Sequence, residues 1–468
     1  MPRLARMHCT DTAAAADALA TLVSFRTVSS RARGGTDEAE FEAFLAALPG
    51  LFPGVYAAMD VERVNGRALL FRWAGVPRTS SPTDNTAPAT TGTAGGLEGP
   101  AVLMSHYDVV PAGDEAAWTH PPFSGHNDGT HLWGRGTLDD KGQLAVILSA
   151  AEALLAEGFA PERDVYFSFG DNEETAGDSA AAAAALLAER GVLPALVLDE
   201  GGAVAGGAFP GVTRPAAVVG VAEKGILDVE LLTRDPGGHA STPPRMGATA
   251  RLARAITRIE SHPFPQHLPD VTAEMLRRFG PHAPLPLRLA FARVERLRTP
   301  LTWLFGRLGG ETNAMTRTTV AITTLRGSAG ANVLAATAAA NANIRVAVGE
   351  TVAGTVERLQ RIIRDPKVEL RVVEGNEPSP VSASHGPAWE LLTECIGTAY
   401  PEAIVTPYIM MGGTDSRRFT GICDAVYRFA PFAMDRADRA SIHAVDEKIS
   451  LEALGRGVRF YETLLRKL

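Results

Sequence analysis

Between residues 101 and 198 the chain repeats one unit: a short, almost wholly apolar run, a turn, and a segment with helical period. The runs at 101–105, 164–169 and 196–198 read as strands, and 142–157 and the alanine-rich 179–190 read as helices. Parallel strands need a long crossover, usually a helix, and such crossovers cover both faces of the sheet. The pattern therefore restricts this part of the chain to a mostly parallel α/β sheet. Ligands of such sheets sit beyond the carboxyl ends of the strands. Each of these three strands is followed within a few residues by a cluster of His, Asp or Glu.

The flanks complete the outline. Residues 11–25 read as an amphipathic helix with Ala14, Leu19, Leu22 and Val23 inward, and 67–73 as a strand. Residues 76–100 are Thr, Pro, Ala, Gly and Ser almost throughout, a composition that cannot bury a core, and read as a flexible insertion between strands. Near 221 the texture changes. Strands at 225–233, 320–325, 340–346 and 368–373 are interleaved with helices at 248–260 and 352–364, which reads as an inserted α+β, ferredoxin-like sandwich. Residues 261–317, rich in Pro, Arg and Leu, fit neither period. Leu285, Leu287, Phe291, Trp303 and Phe305 within them are read either as core or as an acyl channel. After Pro380 the first domain resumes, with helices at 388–399 and 451–465. The expected division is a first domain in two parts, 1–220 and 379–468, around an inserted domain at 221–378.

Composition excludes several function classes. A chain of 468 residues, 46% hydrophobic and 21% charged, has material for about two or three packed domains. Its net charge of −8 argues against a nucleic-acid partner. No run reaches about 18 apolar residues, so no membrane-spanning helix is expected. Arg3, Arg6 and His8 are followed by no apolar stretch of the secretory type, and a cytoplasmic location is expected. Cys9, Cys395 and Cys423 are scattered, odd in number and without CxxC spacing, so neither a disulfide framework nor a thiolate metal site is read.

Five clusters carry the chemistry: Ser-His-Tyr-Asp-Val-Val-Pro at 105–111, Gly-Arg-Gly-Thr-Leu-Asp-Asp-Lys-Gly at 134–142, Asp-Asn-Glu-Glu-Thr-Ala-Gly at 171–177, Leu-Asp-Glu-Gly-Gly at 198–202, and Ser-Ile-His-Ala-Val-Asp-Glu-Lys at 441–448. They supply two histidines and several carboxylates without a thiol. That donor set suits a catalytic zinc, cobalt or manganese centre. Hydrolytic two-metal sites hold their ions about 3.5–4 Å apart, which calls for a bridging carboxylate. Each cluster alone has a blander reading. Glu173-Glu174 could be a solvated first helical turn, and Asp139-Asp140 an ordinary turn. The argument rests on all five lying at strand ends or loops around one sheet.

In this order the five clusters resemble the M20 metallopeptidases, nearest to their carboxypeptidase S-like, Gly-X carboxypeptidase and N-acyl-amino-acid hydrolase branch. The similarity runs from about residue 13 to 468, apart from 76–100. It implies two divalent metal ions, most naturally zinc, with His106, Asp139, Glu174, Asp199 and His443 as ligands. Asp139 bridges in that scheme, through a residue whose bond to Asp140 is typically cis. Asp108 orients His106, and Glu173 is the general base. By chemistry alone Glu200 could ligate as well as Asp199; the branch favours Asp199. The resemblance also assigns His239 to the oxyanion and Arg345 to the substrate carboxylate. Gly413 and Thr414 fall in a pocket-lining loop, and Asn313 and Asn332 compete for a substrate contact. What it implies is a hydrolase that cleaves an amide bond beside a free carboxylate, in an N-acyl amino acid or small peptide. A dipeptidase or aminopeptidase of the same clan is the alternative, as is a silent binding module on that scaffold. The resemblance also implies that the two-part first domain is catalytic and the inserted domain a lid or dimerisation domain, through which a homodimer forms.

Overall fold

The computed structural model describes residues 2–32, 34–76, 97–207, 209 and 211–468. The core of the fold is a ten-stranded mixed sheet. Ala101–His106 runs parallel to Val165–Gly170 on one side and to Leu196–Asp199 on the other, and Val426–Arg428 continues the parallel set. Antiparallel strands Asp60–Val64 and Ala68–Trp73 extend one edge, so the sheet is mixed there. At the other edge Ala216–Glu223 pairs in parallel with Ile404–Met410. The central strands are buried along their whole length, which explains their continuous apolar runs. The largely buried helix Lys141–Ala156 packs on one face with Leu451–Lys467 and the N-terminal helix Pro2–Ser24, and Ser179–Glu189 packs on the other. Along the N-terminal helix the inward stripe runs through Ala15, Leu19, Leu22 and Val23, whereas Ala14 is exposed. Among the described residues no helix is long and apolar enough to cross a membrane. Most of the flexible insertion expected at 76–100, residues 77–96, lies outside those residues.

A second sheet of four antiparallel strands follows in the order Thr319–Arg326, Thr337–Val346, Gly225–Arg234, Val368–Asn376. Helices Ala248–Ser261 and Val352–Ile363 close a separate apolar core over it, built on Leu227, Val229, Leu231 and Ile344.

The stretch that fitted neither period forms four short helices, Asp270–Phe279, Leu285–Phe291, Arg298–Leu308 and Gly310–Ala314. Pro281 and Pro284 separate the first two, Pro286 opens the second and Gly309 separates the last two, so no helix lasts long enough to show a clear amphipathic period. Phe279, Phe291 and Phe305 are buried beneath this layer in a core shared with Ala216 and Ile404 of the large sheet. Leu285 and Trp303 point outward instead. This helical layer is therefore fastened to the edge of the large sheet.

Candidate active site

His106 closes the central strand and is buried. Its Nδ1 lies 2.9 Å from the Asp108 carbonyl oxygen. A carbonyl only accepts, so Nδ1 carries a proton and Nε2 is the nitrogen left to meet a cation once it is deprotonated. That Nε2 is 3.0 Å from Asp139 Oδ1 and 3.6 Å from Glu200 Oε1. The other oxygen of Asp139, Oδ2, is 2.9 Å from His443 Nε2, which is 3.2 Å from Glu174 Oε2. Asp139 thus gives one oxygen to each imidazole, and its peptide bond to Asp140 is cis. Donor atoms of His106, Glu173 and Glu200 lie within 4.8 Å of one another, as do those of His106, Asp139 and Glu174.

The loops bearing these groups are tied together by buried charges. Asp108 accepts from the backbone N–H groups of Glu173 (3.1 Å) and Glu174 (3.2 Å) and from the Ser29 hydroxyl (2.6 Å). It therefore couples the histidine loop to the glutamate pair. Glu447, wholly buried, accepts from the backbone N–H groups of Gly136 (3.1 Å), Leu138 (2.8 Å) and Asp139 (3.2 Å). Its second oxygen is 2.5 Å from Arg135 Nη1, and Arg135 also donates to the Ala444 carbonyl beside His443. One ion pair thus holds the Asp139 loop against the His443 loop. Lys141, two residues past Asp139, donates to the carbonyls of Leu22 and Phe25 at the end of the N-terminal helix. Burial pulls its amine down to about 7.

The electrostatics call for cations. Hydrogen bonds to Asp139 and Glu174 push the His443 imidazole up to about 10. Burial opposes a similar rise at His106, but Asp108, Asp139 and Glu200 overcome it. Burial lifts Glu200 to about 8, with Asp139 adding to the rise. Glu173 and Asp415 are driven well above the carboxylate range, chiefly by burial. Burial would raise Asp139 too, yet its bonds to the two histidines hold it below its usual range. Glu174 Oε1 is buried without a hydrogen-bond partner. Crowded carboxylates, an orphaned oxygen and a two-way Asp139 fit divalent cation binding.

One expected ligand is displaced. Asp199 is the last residue of its strand and its carboxylate accepts from the backbone N–H of Ser416 at 2.7 Å. Successive side chains of a strand point to opposite faces, so Glu200 takes the position beside His106. On that geometry Glu200, rather than the expected Asp199, is the carboxylate found beside His106.

The substrate-side residues are dispersed. Arg345 lies on the second sheet opposite Ile226 and has no carboxylate partner among the described residues. Burial lowers its pKa, and Arg417 is lowered by burial and by other cations including Arg345. Arg417 reaches toward Gly413, where an added Cβ would come within 3.0 Å of its Nη1. Thr414 faces inward, donating to Glu223 at 2.7 Å. His239 and Asn332 share an exposed two-strand tip: the Ala240 N–H donates to the Asn332 carbonyl, and His239 Nδ1 is 2.7 Å from Ser241 Oγ. Asn313 lies elsewhere, in the short helix Gly310–Ala314, accepting from Gln266 at 3.2 Å. Asp415 near Glu200, the Glu447–Arg135 pair and Arg417 were not singled out from sequence, whereas Glu200 stood there as the alternative to Asp199. All of them stand inside or next to motifs already recognised.

The model of peptidase family M20/M25/M40 matches residues 102–467. The chain belongs to the M20 peptidase family. This M20 protein is a hydrolytic enzyme of the family's carboxypeptidase and acyl-amino-acid hydrolase branch. It is 36% identical to the human N-fatty-acyl-amino acid synthase/hydrolase PM20D1 over 371 residues, 78% of this chain and 74% of that protein. It is 32% identical to a probable carboxypeptidase S-like protein of Dictyostelium discoideum over 464 residues, 96% of this chain and 84% of that one. In fold it is similar to an M20 metallo-carboxypeptidase from Sulfolobus solfataricus, with a TM-score of 0.67 at 17% identity over 96% of this chain and 98% of that chain. Human carnosine dipeptidase 1 is similar as well, with a TM-score of 0.66 at 14% identity over 99% of this chain and 97% of that chain.

Proposed function

We propose that this M20 enzyme uses two metal ions to hydrolyse the amide bond of N-acyl amino acids with long acyl chains, releasing a fatty acid and a free amino acid. The observation that carries this reading is a cavity of about 730 Å³ beside the site. Gly201, Gly202 and Gly412, sequence neighbours of Glu200 and Gly413, line it together with an apolar stretch that includes Met275, Phe279, Phe305 and Met410, while Glu311, Arg436 and Arg439 add charge to the wall. Its size is that of a small-molecule pocket, and its apolar wall suits an alkyl chain. The human relative whose name specifies fatty-acyl amino acids supports the same substrate class.

His106, Asp139, Glu174, Glu200 and His443 would hold the ions, zinc foremost, with cobalt or manganese also suited to the donor set. When bound, two cations polarise the scissile carbonyl and bring the pKa of water toward neutrality. Glu173 takes a proton from the attacking water; as the C–N bond breaks, it hands that proton to the departing amine nitrogen. Arg345, with Arg417 beside it, binds the free carboxylate, so that the acyl chain runs the other way into the cavity. His239, on its exposed tip, reaches the oxyanion by closure of the second sheet or from the partner subunit of a dimer.

The test is hydrolysis by apo protein reloaded with Zn²⁺, Co²⁺ or Mn²⁺. The panel runs from N-acetyl to long-acyl amino acids, Gly-X dipeptides and the matching C-terminal amides. Metal-dependent cleavage that favours long acyl chains and is lost in the amides and in Glu173→Ala is expected. Equal turnover of N-acetyl and long-acyl substrates, or a preference for dipeptides, would overturn the acyl assignment.

A further inference from the structure

The outer face of the helical layer differs from the rest of the surface. Of the thirteen large apolar side chains exposed among the described residues, five lie between 285 and 308. Leu285 and Leu289, one turn apart on one helix, are 68% and 49% exposed. Trp303, Leu304 and Leu308 project from the next, Trp303 being 57% exposed. Each helix is two-sided, because Phe291 and Phe305 bury their rings in the core below. Phe305 also walls the cavity.

Around these apolar groups the charge is reversed. The chain as a whole is at −8, yet residues 277–307 hold seven arginines against the single acid Glu295. Arg277 and Arg298 pair with Glu295, and Arg278 with Glu274. Arg288, Arg293, Arg296 and Arg307 are exposed and have no carboxylate partner among the described residues. Arg307 lies over the Trp303 ring, 3.9 Å from its centroid. An exposed tryptophan and leucines on a segment that also carries unpaired arginines is the pattern of a helix lying in the interface of an anionic bilayer. A second copy of this chain fits poorly, since a two-fold contact sets each patch against itself and brings unpaired arginines together.

We propose that this helical layer docks on anionic lipid surfaces, with Trp303, Leu304 and Leu308 in the headgroup boundary and the four free arginines on acidic headgroups. The cavity is then separated from the bilayer by one layer of helices. A role in passing acyl substrates from the membrane to the site rests on the acyl reading above, whereas docking itself does not.

The experiment is sedimentation of the full, metal-loaded chain with phosphatidylcholine vesicles, with and without phosphatidylglycerol, while tryptophan emission is followed. Binding to the acidic vesicles alone, with a blue shift, is expected. At about 1 kcal/mol per arginine near the surface, Arg288→Gln with Arg296→Gln should weaken binding about 30-fold, and Trp303→Asp should abolish the shift. Hydrolysis of a soluble short-acyl substrate stays unchanged in these variants, which separates loss of docking from loss of fold. Equal binding to neutral vesicles, no binding to either, or variants that bind like the parent would overturn the proposal. So would a self-association, seen by light scattering, that Trp303→Asp dissolves. Because the vesicles contain no substrate, failure of the acyl reading leaves this result untouched.

Discussion

Replacing Glu447 by Gln tests whether the metal site is positioned from behind. The carboxylate accepts three backbone N–H bonds from the Asp139 loop and one from Arg135, all out of contact with water. Glutamine keeps the volume but turns one acceptor into a donor, which must face either the Arg135 guanidinium or a backbone N–H. It also leaves Arg135 buried without a counter-charge. Removing one partner of a buried pair costs about 3–5 kcal/mol. At about 2.1 cal/mol/K per residue of unfolding entropy, a chain of this length has about 1 kcal/mol/K, so Tm should fall by about 3–5 °C. The larger consequence is local. Asp139 loses the bond that orients its backbone, and loss of such outer partners typically weakens metal binding 10–100-fold. Zinc affinity measured by chelator competition, alongside Tm of the metal-free protein, separates the two effects. A variant whose Tm falls while zinc affinity stays within twofold would refute the claim that Glu447 positions Asp139. An unchanged Tm would refute the ion-pair argument itself.

Other consequences follow from the same geometry. Glu200→Ala should lose one of two bound metals by elemental analysis, while Asp199→Asn should keep both; the reverse would restore Asp199 as the ligand. Glu173→Gln should bind metal normally yet lower kcat by about 10²–10⁴-fold, the usual worth of a positioned acid–base group. His443, up to about 10, and Glu200, up to about 8, bind protons at pH 7 in the metal-free site, and ligation requires both without them. Metal uptake should therefore release at least about two protons in a weakly buffered indicator assay, and apparent affinity should climb as pH rises from 7 toward 10. Release of no protons would contradict the assigned ligands. Arg417→Met should raise KM for free-acid substrates more than it lowers kcat; equal effects on the C-terminal amides would remove Arg417 from carboxylate binding.

What was legible in the sequence, and what was not, follows from the range of each interaction. The three central strands and their crossover helices could be read because burial on both faces leaves a continuous apolar run, a signal carried by neighbouring residues. His106, Asp139, Glu174 and His443 stood out because metal ligation tolerates few residue types, and the structure brings these four histidine and carboxylate side chains together. The helical layer at 270–314 was illegible for the opposite reason. Its helices are cut short by proline, and its outward Leu285 and Trp303 mimic core positions. Asp199 against Glu200 shows the limit most sharply. Both are carboxylates, adjacent, and at the end of a strand, and composition cannot choose between them. The choice is made by strand phase, because a single step along the strand moves a side chain to the other face. Phase is set at long range, where Leu196–Asp199 pairs with Ala101–His106 and with Val426–Arg428, and where the Ser416 N–H, more than 200 positions away, claims the Asp199 carboxylate. The same holds for Glu447, which acts 308 residues away on Asp139. Donor chemistry is written locally, but which of two equivalent carboxylates comes to lie beside His106 is decided by contacts that only the folded chain makes.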